Sequence, residues 1–456
     1  MSPSKTSRYI APIDGLRAIA VIAVMLYHAG INWIPGGFLG VDLFFVISGY
    51  VITRLILDSI AQSSALDLRE FYIARIRRLF PSLFVLIIST CVIVAVWAPD
   101  AAQRFLQDIP FVLSGSNNWR LVAIHQDYFA NIGRPPLLQH TWSLGVELQF
   151  YLIWPLILLA ILKYFGKSNI AKGALSIATF SGLALFLFSL NVDSASSSRI
   201  SHIYFGSDTH SLGLFLGSAL AVSWVPQNLS RNISQRAQDF VDFIGVIGFL
   251  GLLSTFLFIN ESNTTLYRIA FPLAALFGCF TLTSLVHPAS RFAPLISKKP
   301  FLWIGQRSYG IYLWHWVVFQ IMRPGIDLAG EVWAVNVARF LIVFALADIS
   351  LRYVEIPIRR GEFSLWWRGL KYRTPDVRKR GRASVALGLI GAVLLVTTSS
   401  TIAIYRHDRA KPLLAQSEMN SGLVTPIIQE QKDGLWVTGD SVILGIRAKL
   451  AAQYPI

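Results

Sequence analysis

Apolar runs of roughly 20 residues recur along the whole chain, separated by short polar stretches. That length matches the hydrocarbon thickness a membrane-spanning α-helix must cross. Eleven spans are predicted, at 10–29, 37–57, 79–98, 139–162, 173–191, 208–226, 239–259, 267–287, 303–322, 333–354 and 383–404. The first has no small-residue cleavage site after it and reads as a retained span, not a signal peptide. The expected class is an all-α polytopic membrane protein. About ten helices form one bundle, followed by an eleventh transmembrane helix and a short extracytoplasmic tail.

Composition agrees. Hydrophobic residues make up 54% of the chain and charged residues 14%, against about 25% charge in an average soluble protein. The net charge of +15 could suggest nucleic acid, but its placement argues otherwise. With the N-terminus in the cytosol, the predicted inner segments hold 23 Lys and Arg, the outer loops between spans 5. That asymmetry is the positive-inside rule, so the basic residues set topology. Cys91 and Cys279 both lie inside apolar runs, giving neither a disulfide framework nor metal-ligand spacing. No metal is expected.

Several apolar runs nevertheless carry titratable groups. Arg17 and His28 are 11 positions apart, which at 100° per residue leaves them about 20° apart around a helix. Asp14 lies one turn before Arg17, so the three make one polar stripe. A second span, turning back through Pro-Gly-Gly, brings Asp42 to about the depth of His28. Gly36, Gly37, Gly40 and Gly49 would let neighbouring helices approach closely. In the fourth span His140 and Glu147 share one face, with Tyr151 a turn further along it. The ninth supplies Arg307, Tyr309, Tyr312 and His315, and Arg75 and Arg78 lie a turn apart where the third meets the cytosolic surface. Snorkelling arginines and packed histidines are ordinary features of spans taken singly. Together they describe a polar route from the basic end to the outer half, and intramembrane ionisable groups are usually functional.

The blocks DGLRAIAV, GGFLGVDLFFVISGY, FYIARIRRLFP, HTWSLGVELQFY, GQRSYGIYLWHW and RYVEIPIRR, in that order, resemble the signature of the membrane acyltransferase-3 family. The resemblance covers about residues 8–360. It implies an integral membrane O-acyltransferase of cell-envelope glycans, with acyl-CoA, most often acetyl-CoA, as donor. It implies that His28 is the essential first-span histidine, Arg17 the arginine of the first block, and Arg75 and Arg78 the paired arginines of the third. Glu147 is the acid of the fourth block, where this chain has Glu-Leu-Gln and many relatives have Glu-Glu-Gln.

Coenzyme A phosphates would then meet Arg75 and Arg78 at the inner surface, since guanidinium binds phosphate by paired hydrogen bonds. His28 would act as general base on an acceptor hydroxyl, its ring oriented by Glu147 or Asp42. Arg17 would bind donor or stabilise charge on the thioester oxygen. Asp14, Tyr309 and His315 are further candidates along the route. An acyl-enzyme or relay path stays open beside direct transfer.

The predicted organisation is a membrane domain at 1–360, a basic cytoplasmic loop at 361–382, the eleventh helix at 383–404, a linker at 405–434 and a final segment at 435–456. In that segment WVTGDSVILG resembles the nucleophile block of SGNH esterases, with Ser441 at the nucleophile position. Fifteen residues follow Ser441, none of them His, so the outer domain is expected to be incomplete in this chain. The expected function is transfer of an acyl group from cytosolic acyl-CoA to an envelope polysaccharide, lipopolysaccharide, peptidoglycan or lipid-linked sugar, in a bilayer and without nucleic acid. A transporter of envelope sugars or lipids is the alternative, because buried charges also mark transport paths.

Overall fold

The computed structural model describes residues 9–129, 133–190, 197–261 and 266–420. Its first helix, α1 (Ala11–His28), starts at a proline whose fixed φ suits the first turn. α2 (Gly40–Ser63) returns alongside it, and α3 (Leu68–Val96) is capped by Asp67, which accepts the Glu70 amide at 2.9 Å. The segment 99–138, which lies on the side that the charge bias predicts to be outer and is called the outer segment below, holds α4 (Ala102–Leu113) and α5 (Asn117–Ala123). Next come α6 (Trp142–Phe165), α7 (Ile170–Phe188), α8 (Ser197–Phe205), α9 (Leu212–Ser223), α10 (Gln235–Phe258) and α11 (Phe271–Val286). The chain continues through α12 (Ala293–Ile296), α13 (Lys299–Ile321), α14 (Val332–Ser350), α15 (Ile356–Arg359), α16 (Glu362–Gly369) and α17 (Pro375–Asn420).

Nine helices among the described residues are long and apolar enough to cross a membrane. The protein is an all-α polytopic membrane protein. The other two predicted spans fall on α9 and α13. α13 has the length, 23 residues, but carries Gln306, Arg307 and His315. α9 has only 12 residues, about 18 Å, because the chain stays irregular over 206–211. Such backbone is tolerated at membrane depth where protein buries it, and Thr209, His210 and Ser211 are all buried. Two other boundaries moved. α3 begins at Leu68, well before residue 79, and α17 runs on to Asn420 through the first part of the expected linker. Ser441 and the 435–456 segment lie outside the described residues.

α1 sits between α2 and α13 at the centre, with α9 and α11 against α2 and with α14 against α13. The core there is apolar and tight, with Leu16, Val24, Leu39, Ile47 and Leu313 fully covered. Outward-facing Phe180 and Leu187 on α7, Phe240 and Phe243 on α10, Leu341 on α14 and Leu387 on α17 are exposed, as residues facing lipid tails would be. The four glycines singled out in the sequence all lie at close helix approaches: a Cβ at Gly49 would sit 1.8 Å from the Leu214 carbonyl oxygen, and one at Gly36, Gly37 or Gly40 within 2.5 Å of backbone oxygen. Gly305 on α13 is equally constrained, its Cβ position being 1.8 Å from the Asp14 oxygen.

The outer segment is tied down by charge. Arg134 reaches Asp100 at 2.7 Å, Asp327 at 2.8 Å and the Gln320 carbonyl, while Arg323 holds Asp327 from the other side at 2.8 Å. Burial pushes the Asp327 carboxyl up, but hydrogen bonds from Arg323, its amide and Arg134 outweigh this and hold it well below the usual carboxylate range. A depressed carboxylate stabilises the fold above the unfolded pKa of about 3.9, and the contribution is lost as pH falls below it.

Two outcomes are expected. Gly305→Ala lowers the apparent melting temperature in detergent by several degrees, the overpacking costing about 1–3 kcal/mol or more, whereas Gly388→Ala, with nothing within 4 Å of its added methyl, does not. Hydrogen exchange of residues 133–138, corrected for intrinsic rates, stays protected from pH 7 down to about 4 and loosens below; Asp327→Asn loosens it already at pH 7.

Candidate functional site

Polar groups line up through the bundle in three connected parts. At the basic end, a cavity of about 500 Å³ opens between α1, α2, α3, α13 and α15. It is lined by Asp14, Arg17, Arg54, Asp58, Arg78 and Arg359, among others. Arg17 Nη1 meets Asp14 Oδ1 at 3.1 Å, and Tyr9 donates to Asp14 Oδ2 at 2.8 Å. Arg54 is paired with Asp58 one turn on. Arg78 and Arg359 make no ion pair among the described residues, but the buried Glu355 carboxylate in the same lining acts electrostatically on both, so their charge is offset only in part. Arg359 gets there because α14 ends in a π turn, Leu351–Glu355, that leads directly into α15.

A chamber of about 70 Å³ adjoins this cavity and shares Arg17, Arg78, Ser308 and Tyr309 with it. Here Glu147 Oε1 accepts from Ser48 Oγ at 2.5 Å and from the Tyr151 hydroxyl. Tyr309 donates to the Leu79 carbonyl at 2.7 Å. One turn along α13, the Tyr312 hydroxyl lies 2.6 Å from Ser143 Oγ and donates to the His140 carbonyl at 2.9 Å.

Beyond Tyr312 is a cluster of imidazoles. The His315 ring lies 5.2 Å from His28 and 5.8 Å from His140. One contact sets the tautomers of the neutral rings. His315 Nδ1 is 2.6 Å from the Tyr312 carbonyl, which can only accept, so Nδ1 carries the proton. His315 Nε2 is then an acceptor, and His28 Nδ1, 3.1 Å away, donates to it. That leaves the lone pair of His28 on Nε2, where the Tyr128 hydroxyl donates at 2.9 Å. Tyr128 comes from the outer segment and stacks on Tyr204 at 4.2 Å. Trp316 presents its ring to His28 at 4.8 Å and donates its indole N–H to the Pro136 carbonyl at 2.9 Å, fixing that segment over the histidine. His315 and His140 are buried, while His28 is half-buried.

The sequence-predicted residues thus fall into place unevenly. Asp14, Arg17, Arg78 and Tyr309 share the cavity, Glu147 the chamber, and His28 and His315 the imidazole cluster. Arg75 does not line the cavity; its guanidinium lies over the Phe71 ring at 5.5 Å, with Nε and Nη1 lacking hydrogen-bond partners. Arg307 is a structural partner, bonded to Asp348 at 2.7 Å and the Trp303 carbonyl at 2.9 Å. The expectation that Asp42 or Glu147 orients His28 is not met. Glu147 is seven residues from His140 along α6, about 10 Å towards the arginines. Asp42 faces the irregular turn before α9, where its Oδ1 is 3.2 Å from His210 Nε2. His315 and Tyr128 hold His28 instead.

Residues missed by sequence reasoning include Arg54, Arg359, Ser48, Ser143 and His210. Gln149 was missed too. It accepts from Ser207 at 2.6 Å and donates to Asn118 at 2.9 Å and to the Gly115 carbonyl at 2.9 Å, joining α6 to the outer segment. Tyr128 lies on irregular backbone between α5 and α6, where no hydrophobic periodicity shows which way a side chain faces.

Such a bundle, its interior crossed by a cavity, a chamber and an imidazole cluster, is an integral membrane protein built around a buried polar path. The chain belongs to the membrane acyltransferase family whose model, described as an acyltransferase domain, matches residues 10–351. It is similar to the peptidoglycan O-acetyltransferase OatA of Listeria monocytogenes, 34% identical over 392 residues, which is 85% of this chain and 62% of that protein. It is also similar to the O-acetyltransferase OatA of Staphylococcus aureus, 35% identical over 358 residues, covering 78% and 58%. The chain therefore spans about six-tenths of the length of these relatives. No solved structure matches it. Among the described residues, no group of three or more His, Cys, Asp or Glu is placed to hold a metal ion.

Thermal unfolding in detergent checks the reassignment of Asp42. Asp42→Asn and His210→Gln are expected to couple by about 1 kcal/mol in a double-mutant cycle, whereas Asp42→Asn and His28→Gln add within about 0.5 kcal/mol.

Proposed function

We propose that this protein is a membrane O-acetyltransferase that moves an acetyl group from acetyl-CoA to a hydroxyl of a cell-envelope glycan. The carrying observation is the tautomer chain Tyr312–His315–His28, which leaves the His28 Nε2 lone pair facing the outer segment. Peptidoglycan is the acceptor favoured by similarity to the Listeria peptidoglycan O-acetyltransferase.

The donor's phosphates bind at the basic end, where Arg78 and Arg359 line the cavity with no ion pair of their own and Glu355 offsets them only in part. That end is cytosolic in this reading, supported by the 23 to 5 bias of Lys and Arg. The N-terminus is then inside and the tail after α17 outside the plasma membrane. The thioester reaches along the chamber to Tyr312, and for the attack that wall opens onto the imidazole cluster, since His28 does not itself line the chamber. His28 Nε2 takes the proton of an attacking hydroxyl, whose oxygen bonds to the thioester carbonyl carbon. The C–S bond breaks, and the departing thiolate regains a proton from the imidazolium, giving ester and free thiol. His315 stabilises the imidazolium by accepting from Nδ1. Tyr128 marks where the attacking hydroxyl sits: its own oxygen fills that position in the free protein. Arg17 and Tyr312 are the groups nearest the thioester for stabilising charge on its oxygen.

The test is incorporation of labelled acetyl from acetyl-CoA into purified envelope glycan by membranes bearing the protein. His28→Ala is expected to lose on the order of 10²–10⁴ of the rate at equal folded protein. Undiminished incorporation by that variant would sink the assignment. Glycan movement without donor consumption would favour the transporter.

A further inference from the structure

The chamber between Arg78 and the imidazoles is small and its walls are tied. Its volume is about 70 Å³, room for about five waters at roughly 10–15 Å³ of such space each. That is the scale of an acetyl thioester's end: methyl, carbonyl, sulfur and the adjoining methylenes. The far wall is Tyr312, whose hydroxyl is held by Ser143 and the His140 carbonyl at 2.6 and 2.9 Å. Phe44 sets its ring edge-on to Tyr312 at 6.2 Å, and buried Phe45 is wedged between Trp142 at 6.1 Å and His210 at 5.9 Å. On the α6 side Glu147 is fixed by Ser48 and Tyr151. A longer acyl chain therefore meets groups that cannot turn aside without breaking hydrogen bonds or repacking rings, which costs about 1–3 kcal/mol in a packed interior.

Resting on the donor assignment above, we infer that this chamber is an acyl-length gauge. It admits two- to four-carbon acyl thioesters and excludes long chains, and Phe44 is the residue that sets the limit. The polarity of entry follows from charge. The donor's phosphates stay with the cavity arginines, so its acyl end leads through the shared Arg17–Tyr309 boundary towards Tyr312. Phe44 makes no hydrogen bond in this wall, so truncating it widens the chamber while leaving every polar partner in place.

The experiment is competition binding with the full chain in detergent, displacing labelled acetyl-CoA by unacylated CoA, acetyl-CoA, butyryl-CoA and octanoyl-CoA, with melting temperatures as a check on folding. For the unsubstituted protein, octanoyl-CoA is expected to compete at least tenfold more weakly than acetyl-CoA. Phe44→Ala is expected to reduce that ratio about tenfold, with acetyl-CoA changed less than threefold, and Phe44→Leu to fall between. Equal competition by acetyl-CoA and octanoyl-CoA, or a ratio unmoved by Phe44→Ala in a protein that melts normally, overturns the length gauge alone. No binding of acetyl-CoA and no competition by CoA overturns the donor reading and the gauge with it.

Discussion

The site depends on how closely α1 and α13 can approach. At Gly305 the gap to the Asp14 carbonyl is too small for a methyl group. This contact at the basic end brings Tyr309 beside Arg17 in the shared lining. Towards the other end, the same pair of helices sets His315 against His28 at 3.1 Å. A wider crossing would separate both pairs at once, because each is made between the two helices.

Burying so many polar groups among apolar helices is made tolerable by the partners that many of them find. Asp14 and Arg17, Arg54 and Asp58, and Glu147 with Ser48 and Tyr151 offset one another locally. Arg78 and Arg359 make no ion pair at the cavity, where Glu355 offsets them only in part, and the His28 Nε2 lone pair faces the outer segment, bonded there by Tyr128. Between them lies the smaller chamber of about 70 Å³. The proposed activity needs that order: an anion site, a passage, then a base.

The outer segment is part of the site and not a cover over it. Arg134 binds it to the turns after α3 and α13, Gln149 to α6, and Trp316 to the histidine itself. Its hydroxyl at Tyr128 thereby reaches a group carried by α1. None of this has a signature in hydrophobic periodicity, since the contacts come from irregular backbone and short helices.

Helical membrane class, the positions of the spans, the polar stripe Asp14–Arg17–His28 and the tight glycines were all legible in the chain. They follow from local rules: a 3.6-residue period, a fixed bilayer thickness and the size of a missing side chain. Six ordered blocks also carried the family. Which carboxylate or ring meets which histidine was not legible, because depth along a helix does not fix the direction a side chain faces around it. Asp42 lies near the expected depth but turns to His210, in the irregular turn before α9. Partner choice for His28 required helices and an outer segment distant in sequence, and only their packing settled it.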